Sequence, residues 1–361
     1  MRLAPWVRAL CILAVLLCYT VVVLGAYVRL TAAGLGCPDW PGCYGHLTPA
    51  GVQAADVAGT FPGRPLEPGK AWREMIHRYA VGSLSLLILL LTALALATRG
   101  QRLISVPLAV TLCATLIMQA LLGMLTVTWR LNPLIVTLHL LFGMTTLALL
   151  WWLLLSLPRG SWRSRAPSTG APGRAVATLA LARRLVLFGL VVLGLQIALG
   201  GWTSSNYAAI ACPDFPTCQS SWWPQSDYRN AFVLWRGLGT SYEGGVLDNS
   251  ARIAIHLTHR MGALATTVAL ALAAFVVLRQ RGVAAAHAPA LAVLGALTLQ
   301  LTIGVSMVLR TFPLWLATAH TAGAALLLLA TLWLLHRTRS PSPLSWTAAL
   351  AHPREQPGSI C

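Results

Sequence analysis

Four histidines, His77, His139, His259 and His320, lie within long apolar segments of this sequence. An ionisable side chain at membrane depth is costly, so it is expected to face the interior of a helix bundle and to serve a function. Imidazole is a common axial ligand of heme iron, and two histidines on neighbouring helices can hold a porphyrin between them. We therefore expect two heme sites, His77 with His139 and His259 with His320. Helix-to-helix hydrogen bonding is the alternative role.

An acidic residue lies close to the first histidine. Glu74 precedes His77 by three positions, as His256 precedes His259, and residues three apart share a helix face. A carboxylate could move protons or stabilise a developing cation, whereas His256 could act as a base, a ligand or a hydrogen-bond partner. A plainer interpretation of Glu74 is an acid near a helix N-terminus, favoured by the helix dipole. Zinc is a rival metal, but only Glu74 lies near these histidines at a ligand spacing.

An arginine follows the first histidine of each pair directly. Arg78 follows His77, and Arg260 follows His259. The guanidinium fork suits the carboxylates of heme propionates. Snorkelling to the lipid headgroups is an equally simple interpretation.

A block of the form C-P-D-aromatic-P-x-C occurs twice, over 37–43 and 212–218. The pairs Cys37–Cys43 and Cys212–Cys218 could close disulfides if the loops face an oxidising compartment. The alternative is a dithiol that exchanges electrons or binds substrate transiently, and we favour the structural role for the second pair. Three further cysteines are interpreted as apolar packing residues within helices: Cys11, Cys18 and Cys113. Cys361 is a free thiol in the tail, and His46 is interpreted as a surface residue.

The elements that must position these residues are transmembrane helices. The chain has 361 residues, of which 57% are hydrophobic and 10% charged, a composition typical of polytopic membrane proteins. Windows of about 20 apolar residues, the length that spans a bilayer, occur near 7–27, 76–98, 104–128, 133–157, 183–202, 253–278, 286–309 and 312–336. This pattern predicts an all-α membrane protein of eight helices, with each of the four histidines roughly one to two turns inside the outer end of its helix.

The arginines indicate the orientation. Most lie in alternate loops, and nearly all of the nine acidic residues lie in the others, so the positive-inside rule predicts cytoplasmic termini and outward-facing Cys blocks. The net charge of +17 is thereby explained by topology. It gives no reason to expect nucleic-acid binding, because no soluble domain carries a basic face.

The motifs also reveal an internal repeat. Besides the Cys blocks, His77-Arg78 recurs as His259-Arg260, and Gln119 and Gly123 recur as Gln300 and Gly304. We therefore predict two pseudo-symmetric four-helix bundles. The predicted divisions are a first bundle over 1–157, a cytoplasmic linker over 158–182, a second bundle over 183–337 and a disordered cytoplasmic tail over 338–361.

The stretch from Arg29 through the Cys37–Cys43 block, with Glu74-x-x-His77-Arg78, His139, His259-Arg260 and His320, resembles the heme A synthase family. The likeness extends to about residue 336. It implies that a methyl group of heme O is oxidised to a formyl group by successive hydroxylations, giving heme A for terminal oxidases. Departures from the family pattern are the long first outer loop and His46.

The resemblance also implies roles for the site residues. His77 and His139 take the heme O substrate, His259 and His320 hold a permanent heme b, and Glu74 is the catalytic acid. It implies a bacterial inner (plasma) membrane location with the heme sites toward the outer face, in contact with membrane lipid. Expected partners are a heme O synthase, oxidase assembly proteins and an electron-transfer partner of unknown identity; a homo-oligomer is also compatible with the sequence.

A second function class is a di-heme membrane cytochrome b that transfers electrons, or a heme carrier without chemistry of its own. Sites for transmembrane electron transfer are expected near both membrane faces, whereas the four histidines here all lie toward one. This placement, with Glu74 opposite His256 in the repeat, favours substrate chemistry. No Gly-rich phosphate motif or soluble domain indicates a nucleotide-dependent enzyme.

Overall fold

The computed structural model describes residues 3–61, 65–101, 103–157 and 172–339. Within these ranges the chain is helical, with no β-strand, and eight helices are long and apolar enough to cross a membrane. The predicted all-helical fold with eight spans is thus confirmed. The helices are α1 (Leu3–Leu30), α2 (Pro68–Ala97), α3 (Val106–Thr128), α4 (Pro133–Ser156), α5 (Pro172–Ser205), α6 (Asn249–Leu278), α7 (His287–Leu309) and α8 (Leu314–Arg337).

Two of the histidine-bearing helices begin earlier than predicted. Helix α2 starts at Pro68 and α6 at Asn249, several residues before the apolar windows that marked them, because polar residues before these windows are also helical. A proline in the first turn suits α2, since its missing N–H has no helical partner there. As a result, His77 and His259 lie roughly two to three turns into their helices, deeper along the helix than predicted.

Two predicted segments fall largely outside the described residues. Of the linker predicted over 158–182, residues 158–171 are not described, and the rest forms the start of α5. Of the tail predicted over 338–361, residues 340–361 are not described. The cytoplasmic location of both segments stays a prediction.

The helices pack in two groups of four. Helices α1 to α4 contact one another in a ring, each packing against the next and α4 against α1, and α5 to α8 do the same. The groups meet where α1 and α4 lie against α5 and α8. One hydrophobic cluster, with members as far apart as Val7 and Leu335, runs through both groups, so they share a core. A symmetry relation between them stays a prediction.

Polar contacts cross the seam between the two groups. Arg29, in the last turn of α1, donates to the carbonyl oxygens of Ser204 at 2.9 Å and Ser205 at 3.4 Å. Its guanidinium lies 4.1 Å from the ring centroid of Tyr207. These carbonyls end α5, where the last oxygens have no helical partner and the dipole favours a cation. Arg29 therefore caps a helix of the other group.

The long loop after α5 adds a second connection. The loop after α5 reaches across to the turn between α3 and α4, where the Tyr242 amide donates to the Arg130 carbonyl oxygen at 3.1 Å. The rings of Trp129 and Trp235 meet edge to face at 5.3 Å between centroids. The long loop after α5 thus packs against the first group of helices.

We predict that Arg29→Met lowers the free energy of unfolding by about 2 kcal/mol, because the carbonyl oxygens of Ser204 and Ser205 lose a charged donor. Unfolding in mixed detergent micelles with increasing dodecyl sulfate measures the change. Arg310→Met is the matched control, since Arg310 is exposed at the outer end of α7, and we expect a change within about 0.5 kcal/mol. Equal effects of the two substitutions would contradict the capping role.

Candidate functional site

Each of the four histidines faces a glycine on a neighbouring helix that runs in the opposite direction. The contact is close, because a Cβ atom added at any of these glycines would come within 3.5 Å of a histidine ring. A larger residue would therefore push the ring away at three of these glycines and would only touch it at Gly123. The pairs, with the distance from the added Cβ to the ring Cε1, are Gly25–His77 at 3.2 Å, Gly123–His139 at 3.5 Å, Gly200–His259 at 3.3 Å and Gly304–His320 at 3.0 Å.

The histidines of the second group are placed as a metal-ligand pair. The rings of His259 on α6 and His320 on α8 have centroids 6.4 Å apart and planes at 73°. A metal ion bonded to one nitrogen of each ring at about 2 Å fits a separation of this size. The geometry therefore suits a bis-histidine heme iron between α6 and α8, as the sequence predicts.

Ring nitrogens at three of the four positions are left without partners. Nδ1 of His77, His139 and His320 is buried and makes no hydrogen bond within the described part of the chain. A buried polar atom without a partner is costly, and such atoms often mark a missing ion or ligand. No group of three or more His, Cys, Asp or Glu residues that could hold a metal ion occurs in the described ranges. The donor set at each site is therefore a pair of imidazoles, which suits heme.

Glu74 is buried beside the first site. It is 5% exposed, its Oε2 accepts from the Cys37 amide at 2.9 Å, and its Oε1 pairs with Arg78. The close approach of the loop depends on Gly36, because a Cβ there would lie 2.6 Å from the Lys70 backbone. Glu74 lies beyond the first turn of α2, where the helix dipole has little effect. The plainer interpretation of this acid as a helix-terminal residue is therefore not supported by its position.

His256 occupies the corresponding position in the second group but makes different contacts. It is buried, its Nδ1 has no hydrogen-bond partner among the described residues, and its ring lies edge to face with that of Phe312. Its counterpart Glu74 is an anion paired with a cation, whereas His256 adds an imidazole and no paired charge. The two sites thus differ in electrostatics next to otherwise similar histidine pairs.

Both arginines hold the Cys loops. Arg78 donates to the carbonyl oxygens of Asp39 and Pro41, each at 3.1 Å, and to that of Gly42. Arg260 donates in the same way to loop carbonyls, among them Asp214 and Thr217 at 2.7 Å each. These contacts favour a loop-holding role for the two guanidinium groups. The predicted contact with heme propionates stays a prediction.

Each Cys loop is closed by a disulfide, Cys37–Cys43 and Cys212–Cys218. The four cysteines are almost fully buried, which limits the access of an attacking thiolate. The structure thus supports disulfides in both loops and shows no exposed dithiol in either.

The aspartate of each block accepts hydrogen bonds from backbone amides of its own loop, a role that the sequence did not predict. Asp214 accepts from the Gln219 amide at 2.6 Å and the Ser220 amide at 2.9 Å, and Asp39 does the same for the amides of Tyr44 and Gly45. A hydrogen bond from the Thr217 hydroxyl, and to a smaller extent the bonds from these amides, lower the pKa of the Asp214 carboxyl group. The recurrence of Asp in both blocks was the available signal.

Three glutamines, to which the sequence pattern alone assigned no role, lie near the histidines. Gln196, on α5, lies 3.1 Å from Nδ1 of His259, and Gln300, on α7, lies 3.3 Å from Nε2 of His320. Gln119 lies on α3, near the His139 helix. The signal was a glutamine four residues before a glycine on each of these helices.

Comparisons with known proteins agree with this geometry. The COX15-CtaA family model, described as cytochrome oxidase assembly protein, matches residues 8–332. A protein named heme A synthase from Shewanella oneidensis is 42% identical over 89% of this chain and 94% of its own. Others of the same name are 26% identical over 94% of each chain, from Rhizorhabdus wittichii, and 35% identical over 39% of this chain and 42% of its own, from Listeria welshimeri.

We predict that Glu74→Ala lowers the free energy of unfolding by about 3 kcal/mol, because the largely buried Arg78 loses its anionic partner. Glu67→Ala is the matched control, since the Glu67–Lys70 pair on the same helix end is partly exposed, with side chains 44% and 29% accessible, and should contribute less than about 1 kcal/mol. Unfolding in mixed micelles again provides the measurement. A cost for Glu67→Ala as large as that for Glu74→Ala would refute the burial argument.

Proposed function

The chain belongs to the COX15-CtaA family of cytochrome oxidase assembly proteins, and we propose that it acts as a heme A synthase. It is a membrane oxidoreductase that oxidises a methyl group of heme O to a formyl group, giving heme A for terminal oxidases. The observation that carries this proposal is the match to a named heme A synthase over nearly the whole length of both chains. The paired histidines are what such an enzyme needs to hold heme.

We assign the two heme groups to different halves of the chain. His77 and His139 hold the substrate heme O within the half that ends at residue 157, and His259 and His320 hold a resident heme b in the half over 183–337. The support is electrostatic, because only the first half places a carboxylate, Glu74, three residues before a ligand histidine. When bound, the resident heme b supplies a one-electron redox centre.

Glu74 is the residue that we propose to act on the substrate. Oxidation of a methyl group to a formyl group releases protons, and a buried carboxylate beside the substrate histidine can accept them or stabilise a developing positive charge. Arg78 and the Cys37 amide, which contact its two oxygens, hold the carboxylate in one orientation. The Cys37–Cys43 loop therefore serves to position Glu74.

The remaining proposals concern location and partners. We propose that the protein spans the bacterial inner membrane with cytoplasmic termini, and that the heme sites lie toward the outer face, as the arginine distribution indicates. Heme O synthase is expected to supply the substrate, and oxidase assembly proteins are expected to receive the product. Electrons leave through a partner whose identity the chain does not reveal.

We predict that the histidine–glycine contacts control the two heme groups separately. Gly304→Ala should reduce bound heme b several-fold, because the new methyl group would lie 3.0 Å from the His320 ring, a distance that forces the ring to move. Gly25→Ala should leave heme b bound and reduce conversion of heme O. Gly295→Ala, on the same helix as Gly304 but with open space around it, is the control. The pyridine hemochrome spectrum of purified protein measures heme content.

The decisive experiment extracts the hemes from purified protein made in cells that supply heme O, and separates them by chromatography. Wild type and Glu67→Ala should yield heme A or its alcohol intermediate. Glu74→Gln, which keeps the size of the side chain, should accumulate heme O and reduce heme A at least about a hundredfold. Recovery of heme b alone from every protein would instead favour a membrane cytochrome b.

A further inference from the structure

A glutamine or a valine precedes each histidine-facing glycine by four residues. Because residues four apart share a helix face, this side chain lies one turn from the glycine, on the side of the histidine. Three of the four helices carry glutamine there and one carries valine. The pairs are Gln119–Gly123, Gln196–Gly200, Gln300–Gly304 and Val21–Gly25.

In the second half, both glutamines contact the ligand histidines. The Gln196 amide nitrogen donates to the His259 carbonyl oxygen at 3.0 Å and lies 3.1 Å from Nδ1 of that residue. The Gln300 amide nitrogen donates to the His320 carbonyl oxygen at 3.0 Å and lies 3.3 Å from Nε2. Each amide thus contacts one ring nitrogen and the backbone of a single histidine. An amide nitrogen only donates, so the hydrogen bond that each amide can keep when its histidine holds iron is the one to the carbonyl oxygen.

A second glycine makes room for each amide. Gly262 follows His259 by three residues, and a Cβ there would lie 2.2 Å from Oε1 of Gln196. Gly323 follows His320 in the same way, and its Cβ would lie 2.2 Å from Oε1 of Gln300. No real side chain tolerates such a contact, so both glycines are required for the amides to lie where they do.

His77 has neither the glutamine nor the second glycine. Val21 stands where the second half has Gln196, and Ala80 stands three residues after His77, where the second half has Gly262. Val21 belongs to the hydrophobic core, and Nδ1 of His77 is buried without a partner among the described residues. The amide and the glycine that accommodates it are therefore absent together at this one histidine.

His139, the other histidine of the first half, has the glutamine on its neighbouring helix but not the hydrogen bond. Gln119 packs against Gly143, since a Cβ there would lie 2.9 Å from its amide nitrogen. Among the described residues, however, no hydrogen bond joins Gln119 to His139; the buried Oε1 without a partner is a feature that Gln119 shares with Gln196 and Gln300. Both histidines of the first half therefore lack the amide contact found at both histidines of the second.

We propose that Gln196 and Gln300 are positioning residues that keep the second heme bound through repeated turnovers, and that their lack of a counterpart at His77 lets the first heme leave as product. The bond from each amide to the carbonyl oxygen of its histidine ties the backbone of the ligand to the neighbouring helix, and so limits how far the ring can move from iron. His77 can move away from iron without breaking such a bond. This inference rests on the proposed assignment of a resident and a substrate heme to the two halves.

The test gives the second half the residues of the first. Gln196→Val combined with Gly262→Ala should speed the transfer of heme b to excess apomyoglobin by about tenfold or more. Gln196→Met removes the same N–H donors with little change of shape and should have a similar effect, so a folding defect of the double variant would not decide the result. Gly194→Ala, on the same helix with open space around it, should leave the rate unchanged.

The reverse exchange, Val21→Gln with Ala80→Gly, should slow the loss of extractable heme O and heme A to apomyoglobin by a similar factor. Electron paramagnetic resonance of the ferric hemes provides an independent readout, because a freed histidine ring broadens or shifts the low-spin signal. Unchanged transfer rates and spectra in Gln196→Val/Gly262→Ala and Gln196→Met would overturn the proposal. Transfer of heme b is measured without turnover, so failure to make heme A would count against the proposed function and not against this inference.

Discussion

The close contact between a histidine and a glycine on facing helices is the constraint on which the rest of this structure depends. An imidazole inside a bilayer needs both a partner for its nitrogens and space for its ring, and glycine supplies that space at Gly25 and Gly200. The contact fixes which helices must be neighbours and at what height they meet. In each half this contact joins the first helix to the second and the third to the fourth.

The sequence was sufficient for the parts of the fold that depend on composition and periodicity. Eight apolar segments, four of them with a histidine, were predictable because hydrocarbon allows few alternatives to a transmembrane helix. The start of α2 at Pro68 was not, because polar outer residues continue a helix without an apolar signal. The capping of α5 by Arg29 could not be predicted either, since it joins residues that only the packing of the two halves brings together.

Within the site, the sequence indicated the residues that we propose to bear the chemistry, and it missed those that hold them. Glu74 was identified by its spacing from His77, but its contact with the Cys37 amide depends on how the loop folds over α2. The arginines were matched to heme by charge alone, whereas the structure directs them to loop carbonyls. Residues with a supporting role leave weaker traces in a single sequence, because many side chains can provide a hydrogen bond.

The contact of Arg29 with Ser204 joins two corresponding positions of the repeat. The two residues are 175 positions apart, which is also the offset between the two Cys blocks in the repeat. The acceptor is a backbone carbonyl oxygen, which every residue provides, so the contact does not depend on the side chain at position 204. Only the arginine at position 29 has to be kept for the two halves to stay joined at this point.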